Sequence, residues 1–188
     1  MNPEHATPSK APMSSIPSRT SRGLVSLAAA SLAALTLTLA SVAAAVGTGA
    51  RAPELGANDL NGHRVTIGAH RGSVVLIDFW ATWCEPCADS MPHLESLHSR
   101  FASQGLVVIG VSQDRSADAI PAFLRRHHVT FPVIHDSGNA IAGRYDPPRM
   151  PTTFIIDRAG IVRHVHAGFR SGDVATIERE VEALLAAH

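Results

Sequence analysis

Three features predict an α/β sandwich built on a central mixed β-sheet. Helix-like segments alternate with short apolar runs. One of those runs, Val74–Trp80, is apolar on both faces, as a strand covered on both sides must be. Near the C-terminus, two strand-like segments flank a turn and add an antiparallel hairpin. The expected order is β-α-β-α-β-α-β-β-α after a small N-terminal β element.

Each element follows from local chemistry. Pro53 and the Asp59-Leu60-Asn61-Gly62 turn bound short segments, and Arg64–Ile67 reads as one strand of a hairpin. Gly72 separates this hairpin from Val74–Trp80, where Asp78 is the single acid. A helix is predicted from Glu85 to Phe101, with Met91, Leu94, Leu97 and Phe101 on one face. Pro92 interrupts it and Gly105 ends it. Leu106–Val111 is a second buried strand. Ser116 is expected to cap a helix reaching His127, with Ile120, Phe123 and Leu124 inward. Phe131–Ile134 is short and extended, and 139–145 suits one or two helical turns. Thr152–Ile156 and Ile161–Val165 are joined through Asp157-Arg158-Ala159-Gly160. A last helix spans 172–187, with Val174, Ile177, Val181, Leu184 and Leu185 at helical spacing.

The N-terminus has a different composition. Residues 1–22 are rich in Ser, Pro and Thr and end in Arg19 and Arg22, a disordered basic leader. Residues 23–46 carry no charge. Their length suits a membrane anchor. Their small residues, with Ala43-Ala44-Ala45 as a cleavage site, suit an export signal. Either reading leaves the arginines in the cytoplasm and carries residues 51–188 across the membrane. The formal net charge is +0, and without the leader the chain is slightly acidic. A basic face for nucleic acid is therefore not expected. The eleven histidines are scattered and read as solvated.

Cys84-Glu85-Pro86-Cys87 contains both cysteines of the chain, at the junction between the central strand and the first long helix. Two thiols so close can form and open a disulfide with little movement. The free N–H groups of the helix start favour an anion on the first sulfur. Half of a zinc site is the competing reading. Zinc usually takes four ligands, and no second cysteine pair exists. A purely structural bridge is a poor alternative, because so short a loop constrains little of the unfolded chain. Glu85 opposes thiolate formation at Cys84 and tunes the pair towards reduction of its partners. Pro86 stiffens the loop and suits an early helix position. Asp78 is read either as a buried acid or as a strand-end acid that reaches water.

The run Asp78-Phe79-Trp80-Ala81-Thr82-Trp83-Cys84-Glu85-Pro86-Cys87, the kinking Pro92, and Met150-Pro151-Thr152-Thr153-Phe154 together resemble the thioredoxin superfamily. Within it, the chain is similar to the extracytoplasmic TlpA/ResA-type thiol–disulfide oxidoreductases. The opening Ala52-Pro53-Glu54-Leu55 through Gly62 fits the N-terminal β-hairpin of that branch. The resemblance covers 51–188 and implies a thioredoxin-like three-layer sandwich. Two positions depart from it. Ser90 stands where many relatives have Glu, and Asp78 stands where many have a neutral residue.

The resemblance also implies roles. Cys84, expected to be exposed beside Trp83, attacks a target disulfide, and the more buried Cys87 resolves the mixed disulfide. Asp78 lies beneath Cys87 and accepts its proton. Pro151 is cis and faces the pair, so that Met150 offers its backbone to an extended substrate beside Trp83. Arg149, Pro147 and Pro148 flank the groove. Trp80 is core. No cofactor or metal is expected. The implied partners are protein disulfides and a membrane dithiol donor of the DsbD/CcdA type, outside the cytoplasm. The implied function is a reductant, with apocytochrome c or copper-site cysteines among its targets. The competing functions are a disulfide-forming oxidase, a metal or haem chaperone, and a peroxidase. Peroxidase sites of this fold resemble Pro-x-x-x-Thr-x-x-Cys, and Ile77 and Ala81 occupy the matching positions here.

Overall fold

In the computed structural model, which describes residues 46–187, a five-stranded mixed sheet carries the chain. The strands and helices are β1 (Ala57–Asn58), β2 (Arg64–Val65), β3 (Val74–Trp80), α1 (Glu85–Phe101), β4 (Leu106–Ser112), α2 (Ile120–Arg126), β5 (Val133–His135), α3 (Ala142–Tyr145), β6 (Thr152–Ile156), β7 (Val162–Ala167) and α4 (Asp173–Ala186). The leader 1–22 and the apolar stretch 23–46, Val46 excepted, lie outside the described residues. No described helix is long and apolar enough to cross a membrane.

The sheet order is β5-β4-β3-β6-β7. β3 runs parallel to β4 and antiparallel to β6, which places it at the centre. All seven of its residues are buried. Alternation divides them between two apolar layers. Val74, Leu76 and Trp80 pack with Met91, Leu94 and Leu97 of α1 and Ile177 and Val181 of α4. Val75, Ile77 and Phe79 pack on the other face with Leu55, Val65, Ile67, Ile141 and Tyr145. The second face is therefore covered by α3 and the β1–β2 hairpin with its flanking segments. Asp78 shares its parity with Leu76 and Trp80, so it belongs to the α1 side.

Close packing explains one glycine in β4. A Cβ on Gly110 would come within 2.9 Å of the Trp80 indole nitrogen and 3.2 Å of Val133. Trp80 fills that space and stacks on Phe123, with ring centroids 4.8 Å apart.

Several boundaries differ from those the sequence suggests. The hairpin strand ends at Val65 rather than Ile67, because the Glu54 carboxylate accepts hydrogen bonds from the Ile67 and Gly68 amides and turns the chain. Ser116 does not cap α2. Its hydroxyl accepts from the Asp118 amide, and the helix begins at Ile120, with Pro121 in its first turn. β5 starts at Val133, two residues later than expected, and β7 extends to Ala167. The histidines are not uniformly solvated. His135 bonds to the Asp114 carbonyl at 2.8 Å, and His164 and His166 both contact the Glu180 carboxylate.

Candidate active site

The site lies where β3 and β4 end and α1 begins. Cys84 is the N-cap of α1, with extended backbone (φ −92°, ψ 106°) and no side-chain cap. Its carbonyl accepts hydrogen bonds from the Cys87 and Ala88 amides at 3.1 and 3.2 Å. The positive end of α1 is thus left to whatever anion the Cys84 sulfur becomes. Pro86 occupies the first turn, where its missing N–H costs no helical hydrogen bond.

Cys84 and Cys87 are joined in a disulfide, with Cα atoms 5.2 Å apart. Cys87 is fully buried and Cys84 keeps 8% of its surface. Cys84 is therefore far less exposed than expected, because it packs into the apolar layer against α1. The asymmetry between the two cysteines has the expected sense. Trp83 stands 69% exposed beside them, and Glu85 is exposed too.

Asp78 is completely buried. The β3–β6 register sets it opposite Thr153, whose hydroxyl donates to Asp78 Oδ1 at 2.7 Å. Asp78 Oδ2 has no partner among the described residues. Burial pushes the carboxyl up to about 7, against the smaller lowering effect of the Thr153 hydrogen bond. Of the two sequence readings, burial holds and solvent access does not. Asp78 and Cys87 lie in the same α1-side layer of the domain.

The loop before β6 completes the surface. The Met150–Pro151 peptide is cis. Neither the amide nor the carbonyl of Met150 has a partner among the described residues. Two grooves meet at Met150 and Arg149. One runs past Trp83, Gln113, Asn139 and Pro147. The other runs past Pro86, His166, Phe169 and Arg170. The fold therefore brings Trp83, Pro86, Arg149 and Met150 around one surface.

Two polar contacts of the site were not foreseen from the sequence, although Ser90 itself was noted there. Ser90, buried one turn beyond Cys87, donates its hydroxyl to the Cys87 carbonyl at 2.9 Å. Asp114, 5% exposed, holds the loop that leads into Cys84. Its carboxylate accepts from the Thr82 hydroxyl at 2.6 Å, the Thr82 amide at 3.0 Å and the Ser112 hydroxyl at 2.8 Å. A signal existed: Ser112-Gln113-Asp114 places polar side chains at the carboxyl end of a parallel strand, where α/β sheets build their sites. Among the described residues, no group of three or more His, Cys, Asp or Glu is arranged to hold a metal ion.

A thioredoxin-like sandwich with a disulfide at the start of its first long helix defines a thiol–disulfide oxidoreductase. Residues 48–165 match the AhpC/TSA family, and the chain belongs to it. It is similar to the thiol-disulfide oxidoreductase ResA of Geobacillus kaustophilus strain HTA426, at 32% identity over 140 residues, 74% of this chain and 79% of that protein. ResA of Bacillus subtilis strain 168 is 34% identical over 123 residues, 65% of this chain and 69% of that one. A crystal structure from Chlorobium tepidum, assigned as the thiol:disulfide interchange protein DsbE, superposes with a TM-score of 0.72. It is 32% identical and covers 76% of this chain and 100% of that one. The Ile77 and Ala81 positions, where a peroxidase site would carry Pro and Thr, are buried and apolar.

Proposed function

We propose that this enzyme works as a reductant of protein disulfides outside the cytoplasm. The Cys84 thiolate attacks one sulfur of a target disulfide. A Cys84–target disulfide forms, and the first target thiolate leaves and takes a proton from water. Cys87 then gives its proton to Asp78 and attacks the Cys84 sulfur. The second target thiolate leaves, the target has gained two electrons, and Cys84–Cys87 is oxidised. A membrane dithiol donor of the DsbD/CcdA type restores the dithiol.

The observation that carries this reading is Asp78. It is a carboxyl held near neutrality by burial, in the layer that also contains Cys87. A group with that affinity accepts a proton from a thiol and returns it at physiological pH. The direction of electron flow is supported by Glu85. Its exposed carboxylate beside Cys84 disfavours the thiolate, and a less stabilised reduced form makes a better reductant. Met150, whose backbone groups have no partner among the described residues, and the exposed Trp83 receive the substrate segment. Export is supported by the uncharged 23–46 stretch behind Arg19 and Arg22, as an anchor or a cleaved signal. The targets proposed are cysteines that must stay reduced outside the cytoplasm, such as those of apocytochrome c or of copper sites.

The test is covalent trapping. Cys87→Ala, expressed in the native host, stalls at the Cys84–target disulfide. Recovery of c-type cytochrome precursors or copper-site proteins on Cys84 supports the reading. Recovery of no protein contradicts it.

A further inference from the structure

We propose that the groove on the β7–α4 side of Met150 recognises acidic side chains, so that preferred substrates carry Asp or Glu close to the reactive cysteine. The inference rests on the placement of substrate at Met150 and adds a charge to it. The groove holds about 500 Å³ and begins at Pro86, beside both cysteines. Met150, Val165 and Phe169 line it alongside His166 and polar backbone, so that its surface is mostly polar. Its rim carries Arg149 and Arg170, both exposed.

Neither guanidinium has a hydrogen-bonding or ion-pair partner among the described residues. Arg100 and Arg163, by contrast, are paired with Glu178 and Asp157 at 2.6 Å. Asp173 also lines the groove, and its carboxylate accepts from the Arg170 amide at 2.8 Å but keeps its charge, so the two arginines leave one positive charge in excess. Glu180 behind the groove is engaged by His164 and His166. Two arginine forks on the rim of a polar groove match a carboxylate on a short extended segment, because guanidinium binds carboxylate in a planar, two-bonded fit. The groove past Trp83 shares Arg149 but sets Asp146 against it, so it lacks the excess positive charge that Arg170 gives the first groove. The asymmetry sets a direction: the acidic end of the substrate lies towards Arg170 and the other end towards Trp83.

The test uses the full chain carrying Cys87→Ala and two short peptides. Each peptide contains one cysteine activated as a mixed disulfide with thionitrobenzoate, flanked by aspartates in one and lysines in the other. Attack by Cys84 forms the Cys84–peptide disulfide and releases coloured thionitrobenzoate, with no net change in oxidation state. At low ionic strength the aspartate peptide is expected to react about fivefold faster or more, and the advantage shrinks as salt rises. Adding Arg149→Glu and Arg170→Glu is expected to reverse the order. Should that variant not fold, Arg170→Gln alone is expected to reduce the ratio. Equal rates for the two peptides, or a ratio untouched by the arginine substitutions, overturn the charge preference alone. No release from either peptide overturns the nucleophilic role of Cys84, and the groove proposal with it.

Discussion

Replacing Asp78 by Asn separates the cost of a buried acid from its use. The two side chains have nearly the same shape, and an Asn carbonyl can keep the bond from the Thr153 hydroxyl. What disappears is ionisation. In the unfolded chain the carboxyl titrates near ~3.9, and in the folded protein burial holds it up to about 7. Between these values the folded state binds a proton that the unfolded state has released. Stability therefore falls as pH rises from about 4 to about 7 and levels off above. Roughly three pH units at ~1.4 kcal/mol each amount to about 4 kcal/mol. The variant escapes that loss. Relative to the parent it should gain about 4 kcal/mol more at pH 8 than at pH 4, or roughly 10 °C in melting temperature. Urea denaturation of the oxidised protein at both pH values measures the difference and removes contributions from other titrating groups. The same substitution should slow resolution of the mixed disulfide by about 10²-fold near neutrality. A stability difference independent of pH would refute the argument, because the acid would then be ionised or solvated in both states.

Other expectations concern the groups around the disulfide. Asp114→Ala leaves the Thr82 and Ser112 donors without their acceptor and should cost about 2–3 kcal/mol. It should also speed alkylation of reduced Cys84 as the loop loosens, and an unchanged alkylation rate would mean that Thr82 is held by other contacts. Glu85→Gln removes the charge that opposes the Cys84 thiolate. The potential should rise by up to about 20 mV against glutathione, and a fall would reverse the assigned direction. Gly110→Ala forces a methyl to within 2.9 Å of the Trp80 indole and should cost roughly 1–3 kcal/mol in denaturant midpoint. A neutral result would show that the indole can move.

The sheet was legible because its strands state their burial directly. Val74–Trp80 and Thr152–Ile156 show no alternation with exposed positions, Asp78 being the only charged residue in either, and both emerge with the predicted bounds. So does α1, fixed by Cys84 at its start and Gly105 beyond its end. The elements that shifted are those set by distant partners. Glu54 ends β2 from thirteen residues away in sequence, and no local pattern at Thr66-Ile67 announces it. The Cys84–Cys87 pair was legible from its spacing together with the flanking motifs, but the depth of Cys84 was not. A cysteine at a helix tip reads as exposed until the packing of α1 against β3 is known. The Asp114 clamp depends on Thr82 returning past the end of β4, a long-range contact that residue type alone does not encode.

The most direct measurement of the central claim is the midpoint potential of the Cys84/Cys87 couple, from the fraction of disulfide at equilibrium in defined dithiol buffers. A donor of electrons to protein disulfides should lie at or below about −220 mV. A value near −120 mV, where strong oxidants of this chemistry operate, would contradict the account and make the protein a source of disulfides instead.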